Sequence, residues 1–201
     1  MKLYWFPGSC SLAPHIALCE TQSAHELIRT DLFSKKTEHG DDYLALNPKG
    51  ALPALALDDD TVITEAGVIL QFIADHSAGS TLMPTSGSIE RYRVLEWLNY
   101  LASDVHKSFS ILMNPAAPDA FKDTVRGGIG THFSRIAATL EKSPFLTGDT
   151  FSVADCYLFS ILGWCDYGGI QLGKWPALQA YQARVAARPS VQRALQEEGL
   201  A

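Results

Sequence analysis

Met1-Lys2-Leu3-Tyr4-Trp5-Phe6-Pro7-Gly8-Ser9-Cys10-Ser11-Leu12-Ala13-Pro14-His15-Ile16 opens the chain and decides how the rest is read. A short β-like run, residues 3–6, meets a Pro-Gly breaker. A cysteine follows, and an apolar helical pattern then begins, with Leu12, Ile16 and Cys19 at i, i+4 and i+7. That order predicts a strand, a turn, and a helix over 11–22 with Cys10 at its first turn. Unpaired backbone N–H groups at a helix start favour a thiolate and can bring a cysteine pKa from ~8.5 down to roughly 3.5–7.5. The other reading of such a residue is a buried, inert thiol. Local context weighs the two equally.

Outward from that stretch, strand and helix signals alternate. Residues 26–32, 52–57 and 62–64 read as strands, 42–46 as a short helical piece, and Asn47-Pro48-Lys49-Gly50 as a turn. A helix is predicted over 66–76, with Ile69, Leu70 and Ile73 inward. Residues 78–87, rich in Ser, Gly, Thr and Pro, read as a linker. Everything beyond it carries helical periodicity, over 89–112, 121–140, 153–164, 178–185 and 191–196. The expected organisation is an α/β unit over 1–77 and an all-helical unit over 88–201.

Composition excludes several partners. A formal net charge of −6 and the absence of a basic run argue against nucleic acid. No apolar run approaches the ~18 residues of a membrane helix, and the strand-like start is no signal peptide. The four cysteines contain no CxxC pair, so metal ligation is not expected. Reduced thiols point to the cytoplasm.

Four further groups attract chemistry. Asn99, Ser103 and His106, with Lys107 alongside, share a polar helix face distinct from Leu98, Leu101 and Val105. The face reads either as solvated surface or as a cleft wall with His106 as base or donor. Glu65-Ala66-Gly67 lies where a strand passes into a helix. Backbone N–H groups there suit a carboxylate and Glu65 suits an ammonium group, although a first-turn Glu often only serves the helix dipole. Leu52-Pro53 precedes a strand and is open to either peptide isomer. Ser152-Val153-Ala154-Asp155 reads as a capping box with a structural role.

Together these segments resemble the bacterial beta-class glutathione transferases over the whole chain. The resemblance implies a thioredoxin-like N-terminal domain with a mixed four-stranded sheet, an all-helical C-terminal domain, and a homodimer. It implies that Cys10 lies near the glutathione sulfur and that His106 faces it from the helical domain. It implies that Leu52, across a cis bond to Pro53, pairs with the cysteinyl part of glutathione. Glu65 and the Ala66 N–H would hold the γ-glutamyl end, and Lys35 the glycyl carboxylate. Asn99, Ser103 and Lys107 belong to the same family surface. The family usually has serine where this chain has Ala66, which removes a hydrogen bond worth about 1.5–3 kcal/mol when made to a charged group. The function implied is conjugation of the glutathione thiolate, a co-substrate and not a cofactor, to hydrophobic electrophiles. Some thiol–disulfide exchange or peroxide reduction through Cys10 goes with it. The competing reading is a non-catalytic ligand-binding or interaction module on the same fold. By helix geometry, Phe109, Leu112, Met113 and Trp164 are the expected lining for the electrophile.

Overall fold

A computed structural model describes residues 1–201. Four strands form one mixed sheet: β1 (Lys2–Trp5), β2 (Glu26–Arg29), β3 (Ala54–Ala56) and β4 (Val62–Thr64), in the order β2-β1-β3-β4. β1 runs parallel to β2, with Leu3 opposite Leu27, and antiparallel to β3, with Leu3 opposite Leu55. β4 closes the far edge antiparallel to β3. The parallel pair needs a crossover, and α1 (Leu12–Glu20) supplies it. The antiparallel pair needs only the acidic turn at 58–60. α2 (Tyr43–Leu46) and α3 (Ala66–His76) complete this thioredoxin-like arrangement.

Every residue of α1 from Leu12 to Cys19 is buried. A helix that is apolar all round must be covered on more than one side. α3 packs against one side and α10 (Pro189–Glu197) against another. The last segment therefore groups with the first: Met1–Ser80 and Arg188–Ala201 form one compact unit, and Thr81–Ala187 forms the other. This differs from the expected helical unit over 88–201. The reason is polar as well as apolar. Glu20 of α1 pairs with Arg188 and Ser190, and His15 pairs with Glu197 and Glu198.

The second unit is all helical: α4 (Ile89–Tyr100), a π-helical segment (Leu101–His106), α5 (Lys107–Leu112), α6 (Asp119–Leu140), α7 (Val153–Leu162), α8 (Cys165–Gly168) and α9 (Pro176–Ala186). The helix predicted over 89–112 is continuous but widened by the π segment. The one predicted over 153–164 ends at Leu162, and α8 begins after the turn at Gly163 and Trp164. All ten residues of α7 are buried, so it is the axis of this unit. Truncating one of its large side chains, as in Leu158→Ala, costs about 2–5 kcal/mol. The expected capping box starts α7: the Ser152 N–H donates to Asp155 Oδ2 at 2.9 Å. No helix is long and apolar enough to cross a membrane.

Candidate functional site

Cys10 sits in the turn between β1 and α1, one residue ahead of the helix cap. Ser11 is the cap, but its hydroxyl makes no bond to the helix. It turns back to Phe6, accepting from the N–H at 3.2 Å, and thereby fixes the turn. Cys10 Sγ donates to the Leu52 carbonyl at 3.1 Å. Burial pushes the thiol up to about 12, against a smaller lowering from a backbone hydrogen bond, and the Glu65 carboxylate adds least to the rise. Of the two readings of Cys10, the ligand-free chain has the neutral thiol: burial outweighs the backbone donor, and the group that receives the S–H is a carbonyl. Cys165 is likewise raised to about 12 by burial.

The Leu52–Pro53 peptide is cis. The loop carrying it is held at Ala51, whose carbonyl accepts from Tyr43 Oη and from Asn47 Nδ2, each at 2.7 Å. Asn47 is buried and also receives the Lys49 N–H at 3.2 Å, so Asn47-Pro48-Lys49-Gly50 is a rigid turn. Gly50 has φ +60° within it, a left-handed conformation that glycine adopts without strain. Lys35 Nζ donates to the Gly50 carbonyl at 2.7 Å, which fixes this lysine beside the turn.

Glu65 is the most unusual backbone position in the site. It precedes α3 with φ 71° and ψ 119°, a region costly to a residue with a Cβ. Its side chain makes no capping bond. Its carbonyl accepts the Val68 and Ile69 N–H groups, each at 3.0 Å, while those of Ala66 and Gly67 lie in the uncapped first turn. The carboxylate, two-thirds exposed, is met by the Lys49 ammonium, which also donates to Thr64 Oγ1 at 2.8 Å. A carboxylate beside open N–H groups at a helix start matches a zwitterionic α-amino acid end.

In the helical unit, His106 ends the π segment. Such widened turns often mark functional positions. Its Nδ1 lies 2.7 Å from Tyr157 Oη, and its ring centroid is 4.7 Å from that of Trp164. Asn99, Ser103 and Lys107 are exposed. Asn99 Nδ2 donates to the Leu95 carbonyl at 3.1 Å and Ser103 Oγ to the Asn99 carbonyl at 2.9 Å. Half-buried His106 is therefore set apart from the other three. Three of the four residues expected to line an electrophile pocket are core. Phe109 is fully buried, with ring centroids 6.3 Å from Phe133 and 5.7 Å from Trp164, and Leu112 is buried with it. Trp164 is buried against His106, and Met113 is exposed.

Residues 8–76 match the family described as "Glutathione S-transferase, N-terminal domain", and residues 100–189 match "Glutathione S-transferase, C-terminal domain". Glutathione S-transferase GstA of Escherichia coli O157:H7 is 42% identical over the full length of both chains. The chain belongs to the glutathione S-transferase family. Among solved structures, a beta-class glutathione S-transferase of Sphingomonas chungbukensis is 44% identical with a TM-score of 0.96, covering both chains completely. A sphingomonad glutathione S-transferase complexed with glutathione is 45% identical at the same TM-score and coverage. The likeness places the chain with the bacterial beta class. Two contacts in this beta-class member involve residues its sequence did not single out: Lys49 meets Glu65 in the first unit, and Tyr157 meets His106 in the second. Lys49 stood in a turn motif, and Tyr157 stood in an unbroken apolar helix, where an aromatic residue reads as core.

Proposed function

We propose that the chain binds glutathione through its first unit and conjugates the thiolate to hydrophobic electrophiles, acting as a homodimer. The observation that carries this reading is Glu65, held at φ 71° beside the open N–H groups of α3. The γ-glutamyl ammonium meets the Glu65 carboxylate, displacing Lys49, and the γ-glutamyl carboxylate meets the Ala66 N–H. The cysteinyl backbone pairs with Leu52, and the glycyl carboxylate is reached by Lys35. That chain of contacts brings the glutathione sulfur to Cys10.

Cys10 then acts as a neutral donor. Lowering a bound thiol by ~2 pKa units takes about 2.7 kcal/mol, which one or two hydrogen bonds to the charged sulfur supply. The Cys10 S–H, released from the Leu52 carbonyl, is one such donor. His106 is the candidate second. Thiol–disulfide exchange through Cys10 is the slower activity. Burial holds Cys10 neutral in the ligand-free chain, which slows its attack on a disulfide.

The test is turnover of a chromogenic aryl halide with glutathione, beside calorimetric titration of glutathione alone. Conjugation with saturable binding is expected, and Glu65→Ala weakens that binding. Binding without turnover of any electrophile or disulfide overturns the enzymatic reading. Light scattering at micromolar concentration tests the homodimer, and a monomer would count against it.

A further inference from the structure

α1 carries a second cluster of side chains, where it packs on α10. His15 and Cys19 are both buried and stand one helical turn apart on the same face. His25 lies just ahead of β2 and is half-buried. Glu197, at the end of α10, closes the group from the rim. One nitrogen of each histidine, Cys19 Sγ and a Glu197 carboxylate oxygen all lie within 4.8 Å of one another. His15 Nε2 is 2.8 Å from Glu197 Oε2, and Cys19 Sγ is 3.9 Å from that same oxygen.

We propose that His15, Cys19, His25 and Glu197 form a zinc-binding site.

The donor set fits zinc. Two imidazoles, a thiolate and a carboxylate are the ligand types a tetrahedral Zn²⁺ accepts, at about 2.0–2.3 Å each. Those bond lengths put ligand atoms roughly 3.3–3.8 Å apart. The longest separation here therefore closes by about an ångström, within reach of the rim residues His25 and Glu197.

The surroundings of the ligands support the proposal independently. A metal-binding histidine nearly always gives its other ring nitrogen to a carboxylate or a backbone carbonyl. Both histidines do so here. His15 Nδ1 is 3.0 Å from Oε1 of the buried Glu198, and His25 Nδ1 is 2.7 Å from the Ser23 carbonyl. Nε2 is thus the nitrogen left for coordination in each ring. Glu197 is oriented in the same way: Arg193 Nε donates to its Oε1 at 2.8 Å, and Oε2 turns inward.

Zn²⁺ takes neutral imidazole and thiolate ligands, so the thiol proton of Cys19 and any proton on His15 Nε2 leave for solvent, and the dication takes their place. Four protein ligands close the coordination sphere, so the role is structural. The ion would tie α1, the approach to β2 and the end of α10 at one point.

The experiment uses tag-free, chelator-treated, glutathione-free protein titrated with Co²⁺ alone and then with Zn²⁺. The expected result is tetrahedral cobalt absorption with a near-ultraviolet thiolate-to-cobalt band, saturating at about one ion per chain and erased by Zn²⁺. Cys19→Ser loses that band, and Cys10→Ser keeps it. His25→Ala and Glu197→Gln, both at the rim, weaken Zn²⁺ binding about tenfold or more, and they decide the matter should Cys19→Ser fail to fold. Six-coordinate cobalt without a thiolate band, a band that survives Cys19→Ser, or Zn²⁺ affinity unchanged in both rim variants overturns the proposal. The cluster is then an imidazolium held between carboxylates and nothing more.

Discussion

The starts of α7 and α3 face the same problem and resolve it in opposite ways. Each exposes N–H groups that need acceptors. At α7 the acceptor is internal. Asp155 is fully buried, its Oδ2 accepts from Ser152 N–H and Oγ, and its Oδ1 accepts from the Leu146 N–H at 3.0 Å and Tyr181 Oη at 3.1 Å. Burial raises the Asp155 pKa despite these donors, so the residue serves the fold at some electrostatic cost. At α3 the cap residue Glu65 does not cap, its backbone is strained, and its carboxylate faces outward to Lys49. Strain of this kind costs about 1–3 kcal/mol and persists where the surroundings enforce it. A closed helix start contributes stability, whereas an open and strained one is available to a ligand.

The sharpest way to break this comparison is Asp155→Ala. It orphans the Leu146 N–H in the core, opens the capping box and leaves the Tyr181 hydroxyl only the residue-155 carbonyl at 3.2 Å, and the expected loss is about 2–4 kcal/mol by urea denaturation. A loss below about 1 kcal/mol would mean that α7 is not closed from within. Glu65→Ala should do the reverse. Stability changes by no more than about 1 kcal/mol, while calorimetry shows glutathione affinity falling by about 1.5–3 kcal/mol, roughly 10- to 100-fold. Loss of stability with affinity intact would equate the two helix starts.

Cys10 sharpens the contrast through pH. Its thiol is raised to about 12 in the folded chain, against ~8.5 unfolded. The neutral thiol therefore sits at no penalty below ~8.5, and its contribution to stability is lost as pH climbs from there through about 12. Iodoacetamide alkylation of Cys10 in ligand-free protein should rise about tenfold per pH unit from neutrality, with no inflection below ~8.5. An early plateau would restore the thiolate. The smallest effect is expected from Ala66→Ser, which adds a hydroxyl at the open end of α3 and should tighten glutathione binding by about 0.5–1.5 kcal/mol. Unchanged affinity would show that the backbone N–H alone serves the ligand.

Much of the fold was legible because its signals are local. The Pro-Gly break after β1, the acidic turn between β3 and β4, and the Ser152–Asp155 spacing each act within a few residues. The π segment was not legible, because one widened turn leaves a helical hydrophobic pattern nearly intact. Local sequence left Cys10 open between thiolate and neutral thiol, because the burial that decides it and its acceptor, the Leu52 carbonyl 42 residues away, are set by the fold. Phe109 and Leu112 look the same in sequence whether they line a pocket or fill a core, and here they fill the core. His15, Cys19 and His25 are near neighbours in sequence, but a search for CxxC pairs passes over them, and Glu197 joins His15 only across 182 residues.

The return of α10 to α1 makes the first unit the last to finish. His15 receives its carboxylate partners from Glu197 and Glu198, and the whole of Thr81–Ala187 is synthesised in between. At about 5–20 residues per second, that delay is roughly 5–20 s on the ribosome. During it, the side of α1 that α10 covers in the finished fold waits uncovered on the nascent chain. The helical unit, by contrast, is contiguous and can close while its neighbour waits.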